Sequence, residues 1–334
     1  MNQNTDLFSD QIKALRSEID GALSTIDLPS RPEYLYTPIR YTLLGGGKRL
    51  RAILVHLVGE ALGADPEDLI NAGLAVELLH SFTLVHDDIM DQDNIRHGQD
   101  TIHKKWDEST AILTGDGIYV VSQLVISKIK TKTLAAIKAF NKAALIVCEG
   151  QAYDKAFENN YDISLSDYFL MIEKKTAWLI GLCAELSGII SDQTEETNIQ
   201  LRSFGLNLGR AFQIQDDILE VYGDAETVGK SLGSDLISGK QTILTVLARE
   251  DNKEEWLSSW KNIKKMETQT AILRLREYLN RKNIIEKAYK YVEEYVGKAR
   301  DKLDVIPLSH RDKLKQFTKI ILKRVKYLLK RIQR

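Results

Sequence analysis

Apolar residues recur along most of the chain at spacings of three and four residues, the pattern that places them on one face of an α-helix. Near the N-terminus the pattern includes Ile12, Leu15, Ile19 and Leu23. Alternation of apolar and polar residues, which would indicate strands, is hard to find. The five prolines lie at positions 29, 32, 38, 66 and 307, so the 240 residues from 67 to 306 contain none. The sequence therefore predicts an all-α fold.

No Gly/Ser-rich or Pro-rich linker divides the chain, so we expect one domain over residues 1–334, built as a large bundle of about a dozen helices. A first helix is predicted over residues 1–27, and the prolines of residues 28–38 predict a turn after it. Asp65 and Pro66 are typical of a helix start, with Asp65 as the cap and Pro66 in the first turn.

Composition narrows the class of protein. A hydrophobic content of 43% over 334 residues is enough for a large core. The net charge of −1 argues against a general nucleic-acid binder, so we expect no nucleic-acid partner. The N-terminus is polar where a secretory signal would be apolar, and no uninterrupted apolar run reaches the roughly 18 residues of a membrane span. Cys148 and Cys183 follow no metal-ligand spacing. A cytoplasmic protein without a disulfide is expected.

Two short stretches carry the same arrangement of acids. Residues 84–91 read LVHDDIMD and residues 213–220 read QIQDDILE. Each has two adjacent carboxylates, two apolar residues and a third carboxylate. Residues four apart share a helix face, which pairs Asp87 with Asp91 and Asp216 with Glu220. We call Asp87, Asp88 and Asp91 the first carboxylate motif, and Asp216, Asp217 and Glu220 the second.

Six partly buried acids around one cavity would repel one another, by roughly 3 kcal/mol for a pair about 5 Å apart. They would take up protons or bind cations. The first motif also precedes a helix end expected at residues 92–98, where the helix dipole disfavours negative charge. Oxygen ligands without a Cys or His cluster favour a hard divalent cation, and Mg²⁺ shared with substrate phosphates fits best. One such stretch alone could be a solvated acidic turn, but the repeat weakens that alternative.

Three glycines followed by cations indicate a second anion-binding element. Gly45 to Gly47 let the backbone approach a ligand closely, and Lys48, Arg49 and Arg51 begin an apolar helix whose N-terminal amides attract phosphate. The spacing is not that of a P-loop. A helix cap with solvated cations is the alternative interpretation.

Isolated polar residues accompany these elements. His80 lies seven residues before Asp87 and therefore on the same predicted helix face. Lys230 and Lys240 lie in the loop after the second motif, spaced to close over an anion as a lid. The other candidates are Arg96, His97, Lys175 and Thr176.

Two features stay open between a structural and a functional interpretation. Gln151 and Asp154 put polar groups on an apolar helix, either for interhelical hydrogen bonds or for the site. Residues 311–334 carry ten basic residues and one acid on an amphipathic pattern. They form either the solvated face of a terminal helix or a weak contact with an anionic membrane surface.

With both motifs, the glycine-basic turn and these polar residues, the chain resembles the trans-type isoprenyl diphosphate synthases over roughly residues 40–245. The resemblance implies a helical bundle around a central active-site cavity and a homodimer. It also implies a prenyltransferase that condenses isopentenyl diphosphate with an allylic diphosphate of five to fifteen carbons. The implied cofactor is Mg²⁺, as three ions shared with the substrate diphosphate.

The resemblance also implies residue roles. Mg²⁺ would be bound by Asp87, Asp91 and Asp216, assisted by Asp88, Asp217 and Glu220. Isopentenyl diphosphate would be held by Gly47, Lys48, Arg51 and His80, and the allylic diphosphate by Arg96, Lys175, Lys230 and Lys240. Thr176 and Gln213 would stabilise the allylic cation, and released pyrophosphate would accept the final proton.

The chain departs from the family pattern after the first motif. Residues 96–101 read RHGQDT where the family has Arg-Arg-Gly-x-Pro-Thr, so His97 and Asp100 replace an arginine and a proline. We expect His97 to bind isopentenyl diphosphate less firmly than an arginine would. Glu220 replaces an aspartate and keeps its charge.

Rival functions fit less well. A class I terpene cyclase would carry an Asn/Asp-x-x-Ser/Thr-x-x-x-Glu motif, which is absent around Asp216, and would have no use for the basic turn. A non-catalytic regulatory subunit of a synthase would be destabilised by six partly buried acids that serve no purpose in it.

Product length should depend on residues that precede the first motif. Thr83 and Leu79 lie one and two turns before Asp87 on its face, and Phe82 flanks them. In the family, an aromatic residue five before the first aspartate limits the pocket's depth. One large ring beside a small residue favours C20 geranylgeranyl diphosphate, with a C15 farnesyl diphosphate synthase as the alternative.

Overall fold

A computed structural model describes the backbone of residues 3–223 and 239–332 and the side chains of residues 8–223 and 239–320. Within these ranges nearly all regular structure is helical, which confirms the all-α prediction. In chain order the helices are α1 (Gln3–Ser24), α2 (Glu33–Leu44), α3 (Leu50–Leu62), α4 (Pro66–Met90), α5 (Ile102–Lys105), α6 (Glu108–Ile126), α7 (Thr133–Phe157), α8 (Leu165–Ile172), α9 (Trp178–Ile190), α10 (Glu195–Tyr222), α11 (Ile243–Asp251), α12 (Lys253–Ile263), α13 (Thr268–Arg281), α14 (Ile284–Arg300) and α15 (Leu308–Ile332).

In the described ranges, a hairpin and two short helical turns lie between the helices. Strands β1 (Ile95–Arg96) and β2 (Gln99–Asp100) form an antiparallel hairpin between α4 and α5. A π-helical turn (Glu173–Ala177) joins α8 to α9, and a 3₁₀ turn (Leu303–Val305) precedes α15.

Helix starts illustrate where local sequence decides the fold. α4 begins as predicted, because the Asp65 carboxylate accepts hydrogen bonds from the backbone N–H groups of Glu67 and Asp68 at 2.8 and 3.2 Å. The predicted turn over residues 28–38 is wrong in its second half, since α2 starts at Glu33 and contains Pro38 in its interior. An internal proline costs about 3 kcal/mol, and the burial of Pro38 and the α2 side chains that follow it offsets that cost.

The chain divides into two compact units. Unit 1 comprises Met1–Ala144, Leu179–Gly205 and Lys302–Gln316, and unit 2 comprises Leu145–Trp178, Leu206–Asp301 and Phe317–Arg334. Each unit contains one carboxylate motif. The single domain expected over residues 1–334 stays a prediction.

Helices α3 and α4 form the centre of unit 1. Residues 52–59 of α3 are all buried, and so are residues 71–79 of α4. The Ser187 hydroxyl, on α9, donates a hydrogen bond to the Val55 carbonyl at 2.9 Å. A helix that is apolar on most sides belongs in a core. The first carboxylate motif therefore ends a rigid core helix.

Unit 2 has its own aromatic core. The rings of Trp256 and Trp260 are stacked with centroids 5.1 Å apart, and Tyr278 meets Trp256 edge to face at 5.3 Å. Ile214 and Ile218 of α10 are fully buried in this core. Because these residues alternate with the second motif along α10, core packing holds that motif in place.

Within the part of the chain that the structure describes, two helices have the length and apolar composition of membrane spans, although neither is an uninterrupted apolar run. They are α4 and α6. In the most apolar window of α4, 67% is buried inside the protein. Such burial is expected of a core helix in unit 1.

The cysteines differ in environment. Cys183 is buried, as is typical of a small apolar residue, whereas Cys148 is exposed.

Candidate active site

The outer acids of the first motif lie one helical turn apart at the end of α4. The Asp91 backbone N–H donates to the Asp87 carbonyl at 2.8 Å, so the helical spacing continues through the motif. Both side chains are half-buried. The C-terminal end of a helix carries partial negative charge, which favours a cation beside these carboxylates.

The middle acid of the first motif is held by an arginine. Asp88 is 5% exposed, and its Oδ1 accepts hydrogen bonds from Arg96 Nε at 2.9 Å and from Arg96 Nη2. Arg96 also pairs with Asp93 at 3.1 Å. Burial raises the pKa of Asp88 to about 6, and the Arg96 charge opposes that rise. Arg96, a predicted diphosphate ligand, is thus fixed in place by two carboxylates.

The hairpin that carries Arg96 turns at two residues with positive φ. His97 has φ 51° and Gly98 has φ 79°, and the register pairs Arg96 with Gln99. Two left-handed residues between paired strands are typical of a type I′ turn. A Cβ placed on Gly47 would lie 3.9 Å from His97 Cε1, so the hairpin tip lies beside the glycine-basic turn.

His80 lies among the cations of unit 1. Burial lowers the pKa of His80 well below its ordinary value, and the positive charges of Arg51, Arg96, His97 and Arg49 lower it further. A neutral imidazole surrounded by cations can donate a hydrogen bond to an anion without carrying charge itself. The structure therefore brings His80 together with the arginines that sequence reasoning assigned to diphosphates.

His97 shares this environment. Desolvation lowers the pKa of His97, with further contributions from the charges of Arg96, Arg49 and Lys48. His97 is consequently neutral near pH 7. The predicted ligands of isopentenyl diphosphate on the glycine-basic turn, on α4 and on the hairpin therefore form one positively charged region.

The Arg49 side chain has a structural role at the start of α3. It is 7% exposed, with Nε donating to Asp20 at 2.7 Å and Nη2 to the Leu43 carbonyl at 3.1 Å. Nη1 lies 3.6 Å from Glu77, whose other oxygen accepts from the Ala52 backbone N–H at 3.1 Å. Arg49 therefore links α1, α2 and α4 at the start of α3.

The second motif lies in the last two turns of α10. Asp216 is half-buried, whereas Asp217 is 5% and Glu220 4% exposed. Asp217 Oδ2 accepts from the Tyr168 hydroxyl at 2.7 Å and from the Ile243 backbone N–H at 2.9 Å. These two donors to Asp217 are neutral, whereas the donor to Asp88 is a charged arginine.

Thr176 lies on the π-helical turn, which sequence reasoning missed. Its hydroxyl donates to Gln213 Oε1 at 2.7 Å, and Gln213 Nε2 donates to Asp217 Oδ1 at 2.9 Å. A Cβ on Gly150 would overlap the turn's backbone at Lys175, and one on Gly209 would overlap it at Ala177. Glycines on α7 and α10 therefore let both helices pack directly against the turn.

Asp154 is one of the two α7 residues whose role the sequence left open. It is 5% exposed, and its carboxylate pairs with Lys175 at 2.5 Å and lies 3.8 Å from Lys240. Asp154 therefore holds Lys175 and Lys240, two predicted ligands of the allylic diphosphate, close to one another. The only sign of this role in the sequence was an acid on an apolar helix, which would fit a purely structural ion pair equally well.

The residues predicted to set product length lie on α4. Phe82 packs its ring against His86 and Tyr119, with centroids 4.9 and 5.2 Å away. Leu79 is fully buried, and the Thr83 hydroxyl donates to the His80 carbonyl at 2.8 Å.

Two sequence predictions fall outside what can be described. Lys230 lies within residues 224–238, outside the described residues. Most of the basic C-terminal surface also lies beyond residue 320, the last described side chain.

The donor chemistry fits Mg²⁺. Each motif offers two carboxylates four residues apart on one helix, and all the donor atoms are oxygen. Among the described residues, no group of three or more His, Cys, Asp or Glu side chains is placed to hold a metal. Mg²⁺ is typically bound through one or two carboxylates together with substrate phosphates and water, so it needs no such group.

The sequence is similar to one protein family and to several of its members. Residues 32–279 match the family model described as polyprenyl synthetase. The chain is 35% identical to a geranylgeranyl diphosphate synthase of Methanosarcina mazei, over 89% of this chain and 91% of that protein. It is 34% identical to a geranylfarnesyl diphosphate synthase of Natronomonas pharaonis, over 88% and 91% of the two chains.

A solved structure shows the same fold. The crystal structure of a geranylgeranyl pyrophosphate synthetase from Pyrococcus horikoshii superposes with a TM-score of 0.87 at 32% identity. The match covers 96% of this chain and 99% of that one.

Proposed function

Because the chain belongs to the polyprenyl synthetase family, and is thus a prenyltransferase, we propose that it condenses isopentenyl diphosphate with allylic diphosphates of five to fifteen carbons. The favoured product is geranylgeranyl diphosphate. One observation carries the proposal: each motif has at least one half-buried outer acid, Asp87 and Asp91 in unit 1 and Asp216 in unit 2, and each unit also contains clustered cations.

In this proposal the metal ligands are the outer acids Asp87, Asp91, Asp216 and Glu220. Up to three Mg²⁺ ions would be shared with the allylic diphosphate. When bound, Mg²⁺ stabilises the negative charge that develops on the departing diphosphate. The buried middle acids Asp88 and Asp217 assist by positioning their neighbours, which the hydrogen bonds to Arg96 and Tyr168 support.

The cations of the two units bind the two diphosphates. Lys48, Arg51, His80 and His97, with backbone from Gly47, hold isopentenyl diphosphate. Arg96, Lys175, Lys240 and Lys230 hold the allylic diphosphate. The pairing of Lys175 and Lys240 with Asp154 supports this assignment, because it orients both lysines before a substrate arrives.

The chemistry needs no covalent nucleophile. The allylic C–O bond breaks, and its electron pair leaves with diphosphate. The isopentenyl double bond attacks the resulting cation, and the new cation loses a proton to the released diphosphate. Lone pairs of Thr176 Oγ1 and Gln213 Oε1 can stabilise the cation without trapping it. Water must be excluded, because it would capture the cation.

Product length is set by local residues in this proposal. Relatives of nearly equal identity carry names for C20 and C25 products, so overall identity does not decide it. The ring of Phe82, backed by Tyr119, supports a pocket of intermediate depth and a C20 product.

The protein is proposed to act as a cytoplasmic homodimer. On α6, Leu113, Val120 and Leu124 lie on one stripe at spacings of seven and four residues and are 46%, 56% and 61% exposed. An exposed apolar stripe on a core helix supports an interface between two copies. The basic C-terminal helix would add a weak contact with anionic lipid.

The deciding experiment incubates the purified protein with Mg²⁺, isopentenyl diphosphate and dimethylallyl, geranyl or farnesyl diphosphate, with products identified by mass spectrometry. We expect all three primers to be extended to a C20 product, and no extension after chelation of the metal. A cyclised hydrocarbon would indicate a terpene cyclase instead. No conversion of any primer would exclude the proposed activity.

A further inference from the structure

A continuous chain of hydrogen bonds runs through unit 2 from Tyr168 to Thr176. The Tyr168 hydroxyl donates to Asp217 Oδ2 at 2.7 Å, and Gln213 Nε2 donates to Asp217 Oδ1 at 2.9 Å. The Thr176 hydroxyl donates to Gln213 Oε1 at 2.7 Å. Four side chains on α8, α10 and the π-helical turn are thereby linked.

The groups around Asp217 determine the direction of this chain. Oδ2 also accepts from the Ile243 backbone N–H at 2.9 Å, and a backbone N–H can only donate. The Tyr168 hydroxyl donates to the same oxygen. Because Oδ2 receives both hydrogens, Asp217 is the acceptor at this end of the chain.

The orientation of Gln213 follows from that carboxylate. The amide atom facing Asp217 must be the NH₂ group, because the oxygen would meet a second acceptor there. Gln213 Oε1 is then turned toward Thr176, and only the Thr176 hydroxyl hydrogen can complete that contact. Asp217 therefore decides where the Thr176 proton points, although the two residues share no hydrogen bond.

We propose that Asp217 and Tyr168 are positioning residues that set this direction, so that Thr176 directs its proton to Gln213 and its oxygen lone pairs to the allylic cation. The proposal rests on the proposed function and gives the second motif's middle acid a task other than metal ligation. A hydroxyl turned the other way would point its positive end at the developing cation and slow ionisation.

The backbone around Thr176 leaves little freedom to compensate. Gly150 and Gly209 bring α7 and α10 against the π-helical turn so closely that neither position has room for a Cβ. Reversal of the hydrogen bonds is therefore expected to change charge distribution rather than geometry.

The first variant is Asp217→Asn. The oxygen of the new amide at position 217 would accept from Tyr168 and Ile243, so its NH₂ group would face Gln213. Gln213 would turn over, present its own NH₂ group to Thr176, and reverse the Thr176 hydroxyl. We expect kcat to fall about thirtyfold, with the KM of both substrates and the Mg²⁺ concentration for half-maximal rate within about twofold of the parent.

The matched rescue exchanges the two groups. In Asp217→Asn combined with Gln213→Glu, the new carboxylate at position 213 accepts from both the new amide and Thr176, which restores the original direction without changing total charge. We expect kcat within about threefold of the parent. Gln213→Glu alone places two carboxylates face to face and should lower the unfolding midpoint.

Three controls make the test decisive. Thr176→Val should abolish the effect of Asp217→Asn on kcat, because no hydroxyl remains to be reversed. Tyr168→Phe, which keeps the ring in the core, should show a smaller loss than Asp217→Asn in the same direction. The unfolding midpoint, measured without metal or substrate, should be higher in the exchanged pair than in Gln213→Glu alone. This measurement tests the hydrogen-bond direction even if no prenyl transfer is found.

Specific outcomes would overturn the proposal. These are unchanged kcat in Asp217→Asn, an exchanged pair no faster than Asp217→Asn, or a raised Mg²⁺ requirement that the exchange does not restore. The last result would make Asp217 a metal ligand. Failure of the parent protein to extend any primer would instead count against the proposed function.

Discussion

The first motif on α4 and the second on α10 differ most in what holds the middle acid. Both middle acids are 5% exposed, yet Asp88 is bound by the charged Arg96 whereas Asp217 is bound by Tyr168, Gln213 and a backbone N–H. Both pairs of outer acids lie at or near the C-terminal end of their helix. The same pattern of residues thus combines at least one half-buried outer acid with a buried middle acid that is hydrogen-bonded within the protein.

The two arrangements should respond differently to mutation. A buried ion pair is expensive to break from one side, because the remaining charge loses its partner. A network of neutral donors around one carboxylate is more tolerant of a single loss, but its direction depends on that carboxylate. In unit 1 the buried Asp88 therefore places the Arg96 cation, and in unit 2 the buried Asp217 accepts from the Gln213 amide.

The largest expected effect tests what the two motifs share. Asp87→Ala and Asp216→Ala should each lower kcat about a thousandfold or more, because each removes a carboxylate from metal binding while relieving local repulsion. The helical circular dichroism signal should stay unchanged. Asp10→Ala and Glu277→Ala, at exposed positions of units 1 and 2, serve as matched controls. Activity within tenfold of the parent in either motif variant would remove that motif from metal binding.

The next effect tests where the motifs differ. Asp88→Asn and Arg96→Lys should each lower kcat/KM for the allylic substrate about a hundredfold, because both disrupt the same two-bond contact. The double variant should have a kcat/KM only slightly below that of the less active single variant. Asp93→Asn, which removes only one bond to Arg96, should cost less. Fully additive losses would mean that Asp88 and Arg96 act independently.

The fold and the motifs could be predicted because they depend on local sequence. Helical periodicity, the Asp65 cap and the spacing of the acids are all properties of short segments. The roles of Lys48, Arg51 and His80 stay predictions, whereas the structural role of Arg49 became visible only through its bond to Asp20 on another helix.

What could not be predicted depends on contacts between distant segments. The π-helical turn exists where Gly150 and Gly209 approach it from two other helices, and neither is near it in sequence. The role of Asp154 becomes visible only when Lys175 and Lys240 lie beside it. The hairpin tip at His97 has positive φ, which histidine adopts more readily than most residues. A histidine in the sequence does not by itself predict that conformation.

A third prediction compares the residues just before each motif. Phe82 precedes Asp87 by five residues, and Phe212 precedes Asp216 by four. Phe82→Ala should lengthen the product by one or more C5 units, and Thr83→Phe should shorten it, with rates changed only a few-fold. Phe212→Leu should leave product length unchanged. Mass spectrometry of the products measures all three, and an unchanged distribution in both unit 1 variants would place the chain-length limit elsewhere.

The smallest effect concerns His97, an exposed neutral group beside the cations of unit 1. The surroundings lower the pKa of His97 below its ordinary 6.5, so the ring is uncharged at pH 7.5 and gains its proton only as the pH falls through that lowered value. His97→Arg adds a charge worth about 1 kcal/mol near a diphosphate, and should lower the KM for isopentenyl diphosphate about fivefold at pH 7.5. The ratio of the parent KM to the variant KM should decline toward one in acid, because the parent ring then becomes charged as well. Using this ratio cancels the titration of the substrate and of Asp88, which affects both proteins. An equal change in the KM of the allylic substrate, or a ratio independent of pH, would show that His97 does not contact isopentenyl diphosphate.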